Sequence, residues 1–157
     1  MSQRTNPALA ELLVPAAVAC DLKASDKDGV LAELCGLAAF AGLVKESGAP
    51  LQAVRQREAQ GSTGCGSGVA VPHARLAGLD RTAVAVGLSR AGVEFGSVDR
   101  EPVHIFFLLL GPAGSPEAYL KALSQVARLV KETDFRKALR ACASPAEVVA
   151  LIRSHAV

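Results

Sequence analysis

Two apolar runs limit what this chain can fold into. Residues 103–110 read Val-His-Ile-Phe-Phe-Leu-Leu-Leu, with His104 as the single polar interruption. Residues 82–88, Thr-Ala-Val-Ala-Val-Gly-Leu, carry little more polarity. A strand wetted on one face alternates apolar and polar side chains, whereas an uninterrupted run suits a strand covered on both faces. Such strands need helices on both sides of their sheet. Residues 103–110 are therefore expected at the sheet centre.

The remaining chain supplies candidates for those layers. Asn6 or Thr5 is placed to cap a short helix from Pro7, with Leu9, Leu12 and Leu13 apolar and Pro15 ending it. Residues 17–22 read as a first strand. Ser25 opens a helix on which Leu31, Leu34, Cys35, Ala38 and Ala41 recur at helical spacing. Gly48 and Pro50 are expected to break it, and residues 51–60 to form a second helix. Residues 69–71, 82–88 and 103–110 then read as three strands, and Gly111-Pro112-Ala113-Gly114 as the stop of the last. Ser115-Pro116-Glu117 opens a helix to about Lys131, Thr133 caps another holding Phe135 and Leu139, and Ser144-Pro145 opens a third. The order is strand, two helices, three strands, three helices. It implies an α/β fold with a mixed sheet covered on both faces, and the pattern alone does not give strand order.

Length and composition narrow the function. The 157 residues are expected to form one domain, 1–157. Half the residues are hydrophobic but only 4% aromatic, so Ala, Val and Leu must fill the core. A formal net charge of +2, with no basic stripe, gives no nucleic-acid footprint. No apolar run approaches the roughly 20 residues of a membrane helix, and the polar start, residues 1–6, lacks a signal-peptide pattern. No membrane insertion and a cytoplasmic location are expected. Cys20, Cys35, Cys65 and Cys142 are scattered without C-x-x-C spacing and read as reduced, small apolar residues. No cluster suggests a metal, and no cofactor is implied.

The chemistry gathers between Arg57 and Arg75, where Arg57-Glu58 is followed by Gly61-Ser62-Thr63-Gly64-Cys65-Gly66-Ser67-Gly68 and then Val69-Ala70-Val71-Pro72-His73. Glycines permit close backbone approach, so the N–H groups of this loop, Gly64 among them, are expected to converge on an anion. Ser62 and Thr63 add hydroxyl donors; neither has a base at nucleophile spacing. Pro72 lacks an N–H and tends to end a strand, which would leave His73 at a mouth. Imidazole offers a neutral ring nitrogen near physiological pH, and Arg57 a permanent forked cation for phosphoryl oxygens. Arg75 either steers an anion or lies on the surface. Glu58 either fixes Arg57 or the loop, or is an exposed helix-end carboxylate.

Other readings of the same stretch fit less well. Ser67-Gly68 stands where a P-loop needs Lys-Ser/Thr, and Gly64, Gly66 and Gly68 do not make G-x-G-x-x-G. A Cys65–His73 hydrolase pair would need an orienting third group, which the sequence does not show. His104 reads as a sheet histidine or a supporting partner of the site, and His155 as a terminal residue outside it.

These motifs resemble the signature of the enzyme IIA component of the bacterial phosphotransferase system, of the fructose/mannitol and nitrogen-regulatory type. The resemblance extends through Gly92-Val93-Glu94-Phe95-Gly96, the 103–110 run and Tyr119-Leu120-Lys121-Ala122-Leu123, in the family's order and over nearly the whole chain. It implies a three-layer α/β/α fold, a phosphohistidine at His73 and an adjacent Arg57. It also implies phosphate supplied by an HPr-like phosphocarrier protein and passed to an enzyme IIB, or used as a signal toward a regulatory target protein. The sequence shows no fused permease, IIB or DNA-binding segment, which tilts the expectation toward the nitrogen-regulatory branch. The alternative is a non-catalytic binding module that keeps the fold and acts by docking. One departure stands out: many relatives carry a second active-site His where this chain has Tyr119, whose hydroxyl is expected to point at His73 as an auxiliary donor.

Overall fold

The computed structural model describes residues 8–155. Strand β6 (Val103–Pro112) is the spine of a six-stranded sheet. On one side it pairs antiparallel with β5 (Ala83–Val93); on the other, β3 (Val69–Ala70) and β4 (His73–Leu76) lie end to end, both parallel to it. Beyond β5 lies β1 (Val18–Ala19), parallel, and beyond β3 lies β2 (Gly64–Gly66), antiparallel. The sheet is mixed, as the sequence implies.

Helices cover both faces. Ile105, Phe107 and Leu109 point into a core shared with α4 (Glu117–Leu129), α5 (Thr133–Ala141) and α6 (Pro145–His155) through Val126, Phe135 and Ile152. Phe106, Leu108 and Leu110 point the other way, onto Leu31 and Leu34 of α2 (Lys27–Phe40) and Val54 of α3 (Gly48–Ala59). Strict alternation of a fully apolar strand between two cores makes the three layers. A one-turn helix α1 (Leu9–Leu12) closes the first core; the cap expected from Thr5, Asn6 and Pro7 lies outside the described residues. Among the described residues no helix is long and apolar enough to cross a membrane.

Several boundaries differ from expectation for identifiable reasons. The first strand shrinks to Val18–Ala19: Ala17 closes a 3₁₀ turn from Pro15, and the ladder with β5 ends at Ala19. Asp26, not Ser25, caps α2: its Oδ1 accepts from Gly29 N at 2.7 Å. Gly48 and Pro50 do not break a helix but lie in the first turn of α3, where proline's missing donor costs nothing. The Glu46 carboxylate takes the Gly48 and Ala49 N–H groups at 2.6 and 3.0 Å. Thr133 is the first residue of α5 rather than its cap. The three expected strands between α3 and α4 are five, because the chain around the glycines pairs as β2 and β3, and β4 resumes after Pro72.

Gly111-Pro112 does not stop β6, which runs through Pro112. The N–H groups of Leu109 and Ala113 donate toward the β3–β4 side, to Pro72 O and Leu76 O, each at 3.0 Å. By the two-residue period Pro112 N faces the opposite side, past the last β5 partner, Ala83, where no ladder bond is needed.

Candidate active site around His73

His73 is set by the break between β3 and β4. Pro72 cannot donate, yet its carbonyl accepts from Leu109 N, so the chain stays against β6 and pairing restarts with His73 opposite Leu109. His73 thus opens a strand rather than hanging beyond one. Ala74 points into the core under α2 and α3; His73, on the opposite face, meets α4. Its ring centroid is 6.3 Å from that of Tyr119, tilted by 50°.

The imidazole has a defined tautomer. Nδ1 lies 2.7 Å from Val71 O. A carbonyl only accepts, so the proton is on Nδ1 and Nε2 carries the lone pair in the neutral ring. The ring is half-buried.

A cavity of about 350 Å³ adjoins it. Its walls bring together Arg57 at the end of α3, Ser62 to Cys65 from the loop and β2, Val98 from the β5–β6 connection, Leu123 and Ala127 from α4, and Val130 just after it. Arg57 Nη1 donates to Gly61 O at 2.8 Å, which folds the guanidinium back over the C-terminal end of its own helix and beside the loop. Val98 is 85% exposed, so on its side the rim is apolar and open.

The glycine-rich loop does not form the cradle of free donors expected of Ser62, Thr63 and Gly64. Thr63 N donates to Glu58 Oε1 at 3.0 Å, and the Thr63 hydroxyl donates to the same oxygen. Ser62 Oγ donates to Phe95 O and accepts from Gly64 N, both at 3.0 Å. Ser67 N donates to Asp99 Oδ2 at 2.9 Å. These groups satisfy one another and shape the wall. Glu58, 8% exposed, is the buried anchor of the loop, not a solvated helix-end carboxylate. Gly64 is needed for close approach: a Cβ there would lie 3.0 Å from the Ser97 Cα.

The Tyr119 ring lies beside that of His73, on the first turn of α4. Burial pushes its phenol up, while the charges of Arg75 and then Arg57 pull it partly back. The hydroxyl stays protonated at neutral pH, within electrostatic reach of both arginines. Arg75 is exposed on β4 but electrostatically part of this group.

Cys65 is exposed and lines the cavity. Desolvation and then the Glu58 carboxylate push its thiol up, and Sγ donates to Thr63 O at 3.4 Å. It is a protonated thiol without a base, which removes the hydrolase reading. His104 lies five residues back along β6 from Leu109, the partner of His73, and its Nδ1 is 2.8 Å from Ser89 O. It is a satisfied sheet histidine outside the site. His155 contacts Phe135 at the far end of α6. Among the described residues no group of His, Cys, Asp and Glu could hold a metal ion. No local pattern points to Lys27, which pairs with Glu58 at 2.8 Å across 31 positions of chain.

The sequence model of the family described as "Phosphoenolpyruvate-dependent sugar phosphotransferase system, EIIA 2" matches residues 11–155. A nitrogen regulatory protein of Bradyrhizobium diazoefficiens is 37% identical over 133 residues, covering 85% of this chain and 86% of that protein. The fructose-specific EIIABC component of Bacillus subtilis is 31% identical over 147 residues, covering 94% of this chain but only 23% of its own length. Among solved structures, the nitrogen regulatory protein IIA-Ntr of Neisseria meningitidis superposes with a TM-score of 0.85 at 29% identity, covering 92% of this chain and 98% of that one.

Proposed function

The chain belongs to the EIIA 2 family of the phosphoenolpyruvate-dependent sugar phosphotransferase system, and from that membership we propose that it is a phosphocarrier whose acceptor is His73 Nε2. The observation that carries the reading is the Nδ1–Val71 O contact of 2.7 Å, which leaves Nε2 as the nucleophilic nitrogen. An HPr-like protein docks its phosphohistidine on the apolar rim. The N–P bond of the donor breaks as the Nε2–P bond of His73 forms, and the same exchange in reverse delivers the group onward. Phosphoryl transfer demands mainly alignment and neutralisation of charge on the equatorial oxygens. Arg57, Arg75 and the Tyr119 hydroxyl supply that here.

The mannitol IIA of Escherichia coli has been solved in complex with phosphorylated IIB, and an enzyme IIB is one class of recipient for this chain. The other is a regulatory target that reads the phosphorylation state. The match over most of the length of nitrogen regulatory proteins favours the second. The decisive experiment is incubation with labelled phosphoenolpyruvate, enzyme I and HPr, with mapping of the labelled residue. A purely docking module would take no acid-labile label.

Two variants test the charge around the phosphoryl group. Arg57→Ala is expected to slow transfer by about 10- to 100-fold, the worth of one charge-assisted hydrogen bond. Arg57→Lys should lose less, since it keeps the charge and loses the fork. Equal single-turnover rates for the two would remove Arg57 from direct contact with phosphate. Tyr119→Phe deletes one neutral donor, about 0.5–1.5 kcal/mol net, so transfer should fall tenfold at most. A thousandfold loss would make the hydroxyl an essential participant.

A further inference from the structure

We propose that Lys27 is a positioning residue for phosphoryl transfer at His73, bracing the loop wall of the phosphoacceptor cavity through Glu58 and Phe95. The proposal rests on the phosphocarrier reading and adds to it a residue on a helix that does not line the cavity.

Lys27 is the first residue of α2, and its place is fixed twice. Asp26 caps the helix, and the backbone of Asp26 bridges to Glu94 at the end of β5. From there the ammonium reaches two acceptors. It lies 2.8 Å from Glu58 Oε2 and donates to Phe95 O at 3.2 Å, while sitting 4.6 Å from the centroid of the Phe95 ring. Both acceptors hold the loop that walls the cavity, at successive residues. Glu58 holds Thr63 by its N–H and its hydroxyl. The Phe95 carbonyl also accepts from Ser62 Oγ, which in turn accepts from Gly64 N. Three residues on from Phe95 stands Val98, on the cavity rim.

Charge makes this brace necessary. The Glu58 side chain is 5% exposed and that of Lys27 33%. A buried carboxylate is costly without a partner, and Lys27 is the cation bonded to it. Neutralising Lys27 frees Glu58 to turn toward Arg57, its chain neighbour, and releases Thr63 from its two bonds. The loop that carries Gly61, the acceptor of the Arg57 guanidinium, then loses its anchor. The effect reaches the transferred group only through Arg57 and the loop, so it is an effect on alignment.

Single-turnover transfer from phospho-HPr is measured across donor concentrations for the wild type, Lys27→Met, Lys27→Arg and the double variant Lys27→Met with Glu58→Gln, each below its melting transition. Lys27→Met is expected to lose about 10- to 100-fold in limiting rate, the scale of an ångström of misalignment. Its half-saturating donor concentration should change less than about twofold. Lys27→Arg keeps the charge and two-acceptor reach and should regain most of the rate. The double variant leaves no buried unpaired charge, so its melting temperature should recover while its rate does not. Should Lys27→Met fail to fold, the double variant and Lys27→Arg make the same comparison. A wild-type limiting rate in Lys27→Met or in the double variant overturns the proposal. Absence of label on wild-type His73 instead sinks the phosphocarrier reading on which it stands.

Discussion

His73→Ala is expected to abolish phosphate uptake and to leave the fold intact. The loss is complete because the chemistry has one suitable atom. Among the groups lining the cavity, Ser62 and Thr63 donate their hydroxyls to Phe95 O and Glu58, and Cys65 holds its proton. None offers a lone-pair nitrogen. The fold survives because His73 is half-buried and its one hydrogen bond is local, to a carbonyl two residues back. A bond of that kind contributes about 0.5–1.5 kcal/mol net. The backbone of β4 remains held by its parallel pairing with β6 from His73 to Leu76, and Ala74 keeps its place in the opposite core. The measurement is labelled phosphate transferred from phospho-HPr, read beside a circular dichroism melt. Label retained on the variant would move the acceptor elsewhere.

What could be read from the sequence was what depends on neighbours in the chain. The apolar run at 103–110 placed β6 at the sheet centre, because an element without polar positions has only one kind of environment open to it. The glycine-rich run before Pro72-His73 located the cavity, and the place of Tyr119 on the first turn of α4 was also expected. What could not be read depends on partners distant in sequence. The loop's glycines and hydroxyls suggested an anion cradle, but Glu58 and Phe95 consume those donors. A list of donors does not show which are already occupied. Glu58 looked ambiguous for the same reason: its burial is decided by Lys27, on another helix.

Proline and glycine illustrate the limit in another way. By local pattern Pro50 reads as a helix breaker and Gly111 as a strand stop, yet each sits inside a regular element. Pro50 is tolerated because the first turn of a helix needs no donor. Gly111 is present for a packing reason that no local pattern carries.

Gly111→Ala is expected to destabilise the protein and disturb the site together. Its backbone is not in the left-handed region, so glycine is not required there by conformation. It is required by space: a Cβ at 111 would lie 2.5 Å from Tyr119 Cγ and 2.6 Å from Tyr119 Cβ. The Cβ cannot swing away by rotating a side chain, so the first turn of α4 must move off the sheet. Overpacking of this kind costs about 1–3 kcal/mol, or roughly 2–12 °C in melting temperature for a domain of this size. Because Gly111 stands opposite Arg75 on β4 and beneath Tyr119, the shift should also slow phosphoryl transfer, whereas Tyr119→Phe leaves the helix where it is. Gly36→Ala gives the opposite sign for the same chemical change. Gly36 lies inside α2, where a Cβ would have nothing within 4 Å. There the methyl group relieves glycine's helix penalty of about 1 kcal/mol, raising the melting temperature and leaving transfer unchanged. Thermal melts of the two variants beside the wild type decide the matter, and a Gly111→Ala melt at or above the wild-type value would mean that the sheet and α4 are not packed as tightly as this contact requires.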